Sequence, residues 1–286
     1  MYRKIKGKQT SRKRGRPKKG AVSSSPSTNS GRYPEGYLRL VAFGDRHFPH
    51  TLECGDRIIL RLIEDLQPHF IVDGGDPICA SQLSSFPKTH AELIGLQNEL
   101  DGDFSWRKSI AKVSPDSQKI LLRDNHFTKR LMKRISENPW LEDLRFMSED
   151  SMFSAKELGW QILSRWIWKD LLMFIHGDGQ GISSPRLPVN RARAMVKDHG
   201  ISVVRFHSHC TGFELHRRHD GNLLHAIQLG CLEDPEKASY IDHPQISNWT
   251  HSLGVFYLSE KPPYHFFFVP CIISHSRCIF NNTVYK

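Results

Sequence analysis

From Tyr37 onwards, short apolar runs alternate with polar punctuation. "YLRLVAF" (37–43) is a strand-like run, "RIILRLIEDL" (57–66) places its apolar residues at helical spacing, and "FIVDGG" (70–75) is a second strand closed by glycine. Strand, helix, strand predicts an α/β architecture. Further strands are predicted over "KILLR" (119–123), "DLLMFI" (170–175) and "ISVVRF" (201–206). "LLHAIQLG" (223–230), "LGVFYLS" (253–259) and "YHFFFVPCII" (264–273) follow without clear helices between them, which predicts added antiparallel strands. "WQILSRWIW" (160–168) reads as a packed amphipathic helix, and the chain has no internal repeat.

The ends of the predicted strands share a chemistry. The first is followed by Asp45-Arg46-His47, the second by Asp76, the third by Asp124-Asn125-His126, the fourth by His176 and the fifth by His207-Ser208-His209. A polar loop after one strand is ordinary. Five consecutive strand ends that each offer Asp, Asn or His, in a fold class whose sites gather at the carboxyl ends of strands, point to metal ligands.

The order D-x-H, G-D, N-H, H-G, H-x-H resembles the calcineurin-like metallophosphoesterase family, over residues 37–286. "LSSFPKTH", "RLMKR" and "NWTHSLGVFYL" look most like its bacteriophage and prophage members. The resemblance implies a pair of packed mixed β-sheets flanked by helices, with two metal ions at the strand ends. It puts one metal on Asp45, His47, Asp76 and His209, and the other on Asp76, Asn125, His176 and His207, with Asp76 bridging. It implies a hydroxide between the ions as nucleophile and His126 as the catalytic group that protonates the leaving oxygen or offsets phosphoryl charge. A mixed nitrogen and oxygen ligand set suits Mn first, with Fe or Zn next, over Mg or Ca.

The pattern departs from the family in four places. Asp124 and Phe127 flank Asn125-His126 where the family has glycine and an acid, Cys79 replaces the acid that steadies the catalytic histidine, and Phe206 replaces a glycine, setting bulk beside the metals. None removes a predicted ligand, but together they leave a slow or inactive member as an alternative.

Composition bounds the rest. With 286 residues and 38% hydrophobic content, one sizeable core is expected. The net charge of +10 is concentrated: residues 1–34 hold 11 of the 40 Lys and Arg and none of the 30 Asp and Glu, which leaves 29 bases against 30 acids in the body. Within that tail "KRGRPKKG" (13–20) resembles an AT-hook, whose R-G-R-P core, here Arg14, Gly15, Arg16 and Pro17, implies binding in the minor groove of A·T-rich DNA; a generic basic arm is the alternative. "SSSPSTNSG" (23–31) has linker composition, so a disordered basic tail over 1–33 and a metallophosphoesterase domain over 34–286 are expected.

No apolar segment follows the N-terminal residues as a secretory leader requires, and Cys54, Cys79, Cys210, Cys231, Cys271 and Cys278 form no C-x-x-C pair. A cytoplasmic protein with reduced thiols and no membrane partner is the expectation, in host cytoplasm if phage-encoded. Lys129, Arg130, Lys133 and Arg134 read as a solvated basic helix face. Nucleic-acid phosphodiester hydrolysis is the first expectation for function, since a DNA-binding tail concentrates DNA near the site. A phage-type Ser/Thr phosphatase and a catalytically decayed DNA-binding accessory protein are the alternatives.

Overall fold

The computed structural model describes residues 33–85, 95–144, 146–178, 189–238 and 247–286. The described residues from Gly36 to Lys286 form one compact unit. Arg14, Gly15, Arg16 and Pro17 lie outside the described residues.

The unit from Gly36 is built on two sheets. The first runs β13 (Thr283–Tyr285), β12 (Arg277–Phe280), β11 (Phe266–Ser274), β10 (His251–Ser259), β1 (Tyr37–Phe43), β2 (Phe70–Asp73), β3 (Gln118–Leu122), β4 (Trp160–Leu163). The second runs β5 (Trp166–Trp168), β6 (Leu172–Ile175), β7 (Ser202–Arg205), β9 (Leu223–Gln228), β8 (Gly212–Arg217). Both are mixed: β1 to β4 are parallel and β10 joins β1 antiparallel, while β6, β7 and β9 are parallel between antiparallel β5 and β8. Leu40, Ala42, Val72, Ile120 and Phe256 of the first sheet pack against Phe174, Val204, Phe206 and Ile227 of the second, all buried. This is the pair of packed mixed sheets that the sequence led us to expect.

Helices flank the sheets. In α1 (Glu53–Leu66), Ile58, Ile59, Leu62, Ile63 and Leu66 form one buried stripe, Glu53 and Asp56 lie in the first turn, and the N–H of left-handed Gln67 caps the end on the Ile63 carbonyl. The helix thus begins four residues before the apolar spacing alone suggests. Basic helix α3 (Arg130–Glu137) follows a π-helical turn, Asn125–Lys129, and α4 (Val189–His199) packs Ala192, Met195 and Val196 onto the second sheet. Helix α2 (Leu96–Val113) escaped the periodicity because its buried face carries Glu99, Asp103 and Arg107 as well as Leu100, Trp106 and Ile110.

"WQILSRWIW" is not a helix. It forms β4 and β5, one in each sheet, with Ser164 and Arg165 crossing between. Its tryptophans fill separate places: Trp160 lies against the Arg107 guanidinium, and Trp166 packs on Phe70 and Phe174. Pairing with β3 and β6 satisfies the backbone and overrides local helical preference. No described helix is long and apolar enough to cross a membrane.

Candidate metal centre

Parallel strands β1, β2 and β3 end on the same edge of the first sheet, and parallel β6, β7 and β9 bring their exits to it from the second. The loops there are tied by backbone bonds: Asp45 N–H to Gly75 O at 2.9 Å, His47 N–H to Asp76 O at 3.0 Å, and Leu232 N–H to Asp45 O at 2.9 Å. The second sheet is tied in by the His207 N–H, which donates to Asp45 Oδ2 at 2.9 Å.

Asp45, His47, Asp76, His207 and His209 have φ of 52°, 47°, 48°, 74° and 58°. Few non-glycine residues adopt this left-handed region, although Asp and His tolerate it better than most. Such strain costs about 1 kcal/mol or more per residue and persists where the surrounding structure enforces it, typically at functional sites. Here it turns both members of each i, i+2 pair into one cluster.

The seven residues expected as ligands converge. Ligand atoms of Asp45, His47 and His209 lie within 4.8 Å of one another, as do those of Asp76, His176 and His207. Asp76 Oδ2 joins the groups, 3.6 Å from His47 Nε2 and 3.2 Å from His176 Nε2. Asn125 Oδ1 lies 2.9 Å from His176 Nε2. His126 sits beside both groups, its backbone N–H on Asp76 Oδ1 at 3.1 Å and its ring centroid 4.4 Å from that of His47.

This donor set fits divalent cations. Asp45 Oδ1, both ring nitrogens of His47 and His209 Nδ1 are buried without hydrogen-bond partners, an arrangement that costs free energy unless something compensates it. His176 Nδ1 donates to Gly74 O at 2.8 Å, so its Nε2 faces two oxygen acceptors, Asn125 Oδ1 and Asp76 Oδ2. A nitrogen so placed either carries a proton or gives its lone pair to a cation that the same oxygens ligate. The charges agree. Burial opposes protonation of His176, yet Asp76 holds it up at about 10, while burial presses His207 and His209 down to about 4 and about 3, the neutral, ligating form. Burial likewise keeps His47 well below the usual imidazole range.

The four departures acquire structural roles. Asp124 Oδ2 accepts the Asp76 N–H at 2.9 Å, and its Oδ1 accepts from Phe127 and Thr128, capping the π-helical turn and fixing the Asp76 backbone. Phe127 is buried edge-on to Phe153. Phe206, expected to set bulk beside a metal site, instead points into the core: a Cβ added to Gly74 would meet its Cγ at 2.2 Å. The ring occupies space that Gly44 and Gly74 leave open. Cys79 Sγ donates to His47 O at 3.0 Å, and its carbonyl takes the steadying role, accepting from His126 Nδ1 at 3.3 Å and Arg130 Nη1 at 2.6 Å.

Three features were missed from the sequence. Glu233, fully buried after β9, lies 3.7 Å from His47 Nε2 and 3.7 Å from His209 Nδ1. It follows a sixth strand exit, where the same reasoning applies. His50 joins it, with Nδ1 3.4 Å from Glu233 Oε1 and 3.3 Å from Cys79 Sγ. Beneath the ligands runs a buried ionic chain: Arg46 pairs with Asp56 and Asp103, Asp103 with Arg107, and Arg107 with Asp73, whose Oδ1 accepts the Gly75 N–H. Beside His176 a cavity of about 250 Å³ is lined by Arg123, Thr128 and Lys129. The amine of Lys129 pairs with Asp178, so this part of the basic face is engaged rather than only solvated.

No family model and no curated protein matches the sequence. Among solved structures the chain is similar to vacuolar protein sorting 29 of Cryptosporidium parvum, with TM-score 0.41 and 9% identity over 87% of this chain and 95% of that one. For Vps29 of Chaetomium thermophilum the figures are 0.40, 9%, 82% and 96%, and for TT1561 of Thermus thermophilus they are 0.37, 10%, 82% and 98%. Likeness at this level decides nothing about function, which rests on the residues themselves.

Proposed function

We propose that this protein is a metal-dependent phosphoester hydrolase that acts on nucleic-acid phosphodiesters through two divalent cations, with Mn the first candidate. The observation that carries the reading is the convergence of Asp45, His47, Asp76, Asn125, His176, His207 and His209, several with buried donor atoms that lack partners. Asp45, His47, Asp76 and His209 would hold one cation, and Asp76, Asn125, His176 and His207 the other. Bound there, the cations would supply Lewis-acid stabilisation of phosphoryl charge and a nucleophilic water of lowered pKa.

The chain's own residues orient and move protons around that chemistry. Asp124 holds the Asp76 backbone, and Asp76 in turn holds the His126 backbone. The Cys79 carbonyl accepts from His126 Nδ1, so the ring's exchangeable position is Nε2, where a leaving oxygen takes its proton. Burial lowers the His126 pKa and a carbonyl steadies it less strongly than a carboxylate, so the ring is a weaker base than in the family pattern. The nucleic-acid preference rests on the tail motif at Arg14, Gly15, Arg16 and Pro17 together with the excess basic charge of residues 1–34.

The test is Mn²⁺-dependent hydrolysis of a chromogenic phosphodiester and its monoester by the full chain and by His126→Ala. Diester turnover that falls about 10²–10⁴-fold in the variant is the expected result. Monoester turnover alone would reassign the protein as a phosphatase, and no turnover of either, with tail-dependent DNA binding intact, would make it an accessory protein.

A further inference from the structure

We infer that His47, Cys79 and Glu233 form a further cation position, suited to a thiophilic divalent ion such as Zn²⁺ and supported from outside by His50. It shares only His47 with the proposed pair of cations and does not depend on that reading.

Ligand atoms of the three residues lie within 4.8 Å of one another, and all three side chains are buried. Of the six cysteines, only Cys79 belongs to such a donor group among the described residues. His47 Nε2 stands 3.7 Å from Glu233 Oε2, too far for a hydrogen bond, and neither ring nitrogen of His47 has a hydrogen-bond partner. Tetrahedral zinc, with ligand distances of about 2.0–2.3 Å, holds its donors about 3.3–3.7 Å apart. Sulfur, imidazole and carboxylate together favour Zn²⁺ over Mn²⁺ or Mg²⁺, and three protein ligands leave a fourth place for water.

His50 completes the chemistry. Its Nδ1 lies 3.4 Å from Glu233 Oε1, the carboxylate's other oxygen, and 3.3 Å from Cys79 Sγ. Burial and the Glu233 carboxylate push the Cys79 thiol well above its usual range, so an arriving cation has to displace its proton. The S–H electron pair becomes the metal–sulfur bond, and the proton passes to His50 Nδ1, which then donates it to Glu233 Oε1.

The backbone brings the three loops together. Cys79 N–H donates to Phe48 O at 3.0 Å and His47 N–H to Asp76 O at 3.0 Å, while Thr51 and Glu233 form a β-bridge. His47 Nε2 also faces Asp76 Oδ2 at 3.6 Å. One lone pair binds one ion at a time, so an ion held here withdraws His47 from the first of the two proposed positions.

The experiment titrates Co²⁺, a spectroscopic stand-in for Zn²⁺, into reduced, chelator-stripped full-length protein and follows thiolate-to-cobalt charge transfer in the near ultraviolet. We expect this band in the wild type, its loss on adding Zn²⁺, its absence in Cys79→Ser, and an affinity lower by at least about 10-fold in Glu233→Gln. No band in the wild type, or one that persists in Cys79→Ser, overturns the assignment. So does Co²⁺ binding to Glu233→Gln as tight as in the wild type, a comparison that keeps the thiol in place and stands even where Cys79→Ser melts early in EDTA. The readout needs no turnover: its failure leaves the phosphoester reading standing, and failed hydrolysis leaves this position standing.

Discussion

Replacing Arg107 with methionine interrogates the ionic chain beneath the candidate metal centre. Methionine keeps much of the apolar stem under Trp160 but removes two charge-assisted bonds, from Nε to Asp103 Oδ2 at 2.5 Å and from Nη2 to Asp73 Oδ2 at 2.8 Å. Asp73 and Asp103 remain, neither with exposed surface. Burial already pushes the Asp73 carboxyl above the usual range against the pull of Arg107. Stripping one partner from a buried pair costs about 3–5 kcal/mol, mostly through the charge left behind. For a chain of this size each kcal/mol moves Tm by about 2–4 °C, so a drop of about 6–20 °C is expected in melts with EDTA present. Adding Asp73→Asn removes one stranded charge and should return about 1–3 kcal/mol as coupling in the double-mutant cycle. Because Asp73 also sets the Gly75 turn before Asp76, Arg107→Met should weaken Mn²⁺ binding as well. A Tm within about 2 °C of wild type, or strictly additive single and double variants, would refute the reasoning.

Three further outcomes are expected. Burial raises the Glu99 carboxyl to about 7, so between about 4.5 and about 7 the folded protein keeps a proton that the unfolded chain has released. Stability therefore falls as pH rises through that window, by up to about 3 kcal/mol; Glu99→Gln should flatten this part of the Tm–pH curve, and an unchanged slope would dismiss the assignment. Gly74→Ala should destabilise by about 1–3 kcal/mol because its Cβ enters the space of Phe206, and Phe206→Ala should restore part of that loss in the double variant, as read by urea titration. Deleting residues 1–32 should abolish salt-sensitive binding to A·T-rich duplex while leaving turnover of a small chromogenic phosphodiester unaltered; retained DNA affinity would separate the tail from the proposed function.

Much of this protein could be read from one dimension, because strand periodicity and strand-end chemistry are local. "YLRLVAF" coincides with β1, and five polar strand exits named the residues that the fold gathers. A short apolar run closed by Asp, Asn or His carries both its conformation and its candidate chemistry in a few adjacent positions. Tertiary structure decided what depends on distant partners. "WQILSRWIW" became two strands because β3 and β6 pair with it, and α2 concealed itself because it buries Asp103 and Arg107 against charges elsewhere in the chain and Glu99 against the Ala80 N–H. Phe206 faces the core only because Gly44 and Gly74, far away in sequence, leave space for its ring. Glu233 meets His47 through backbone bonds that join the β9 exit to the β1 loop, nearly two hundred residues apart. Local patterns determine which side chains can act; burial and long-range pairing determine which of them face one another.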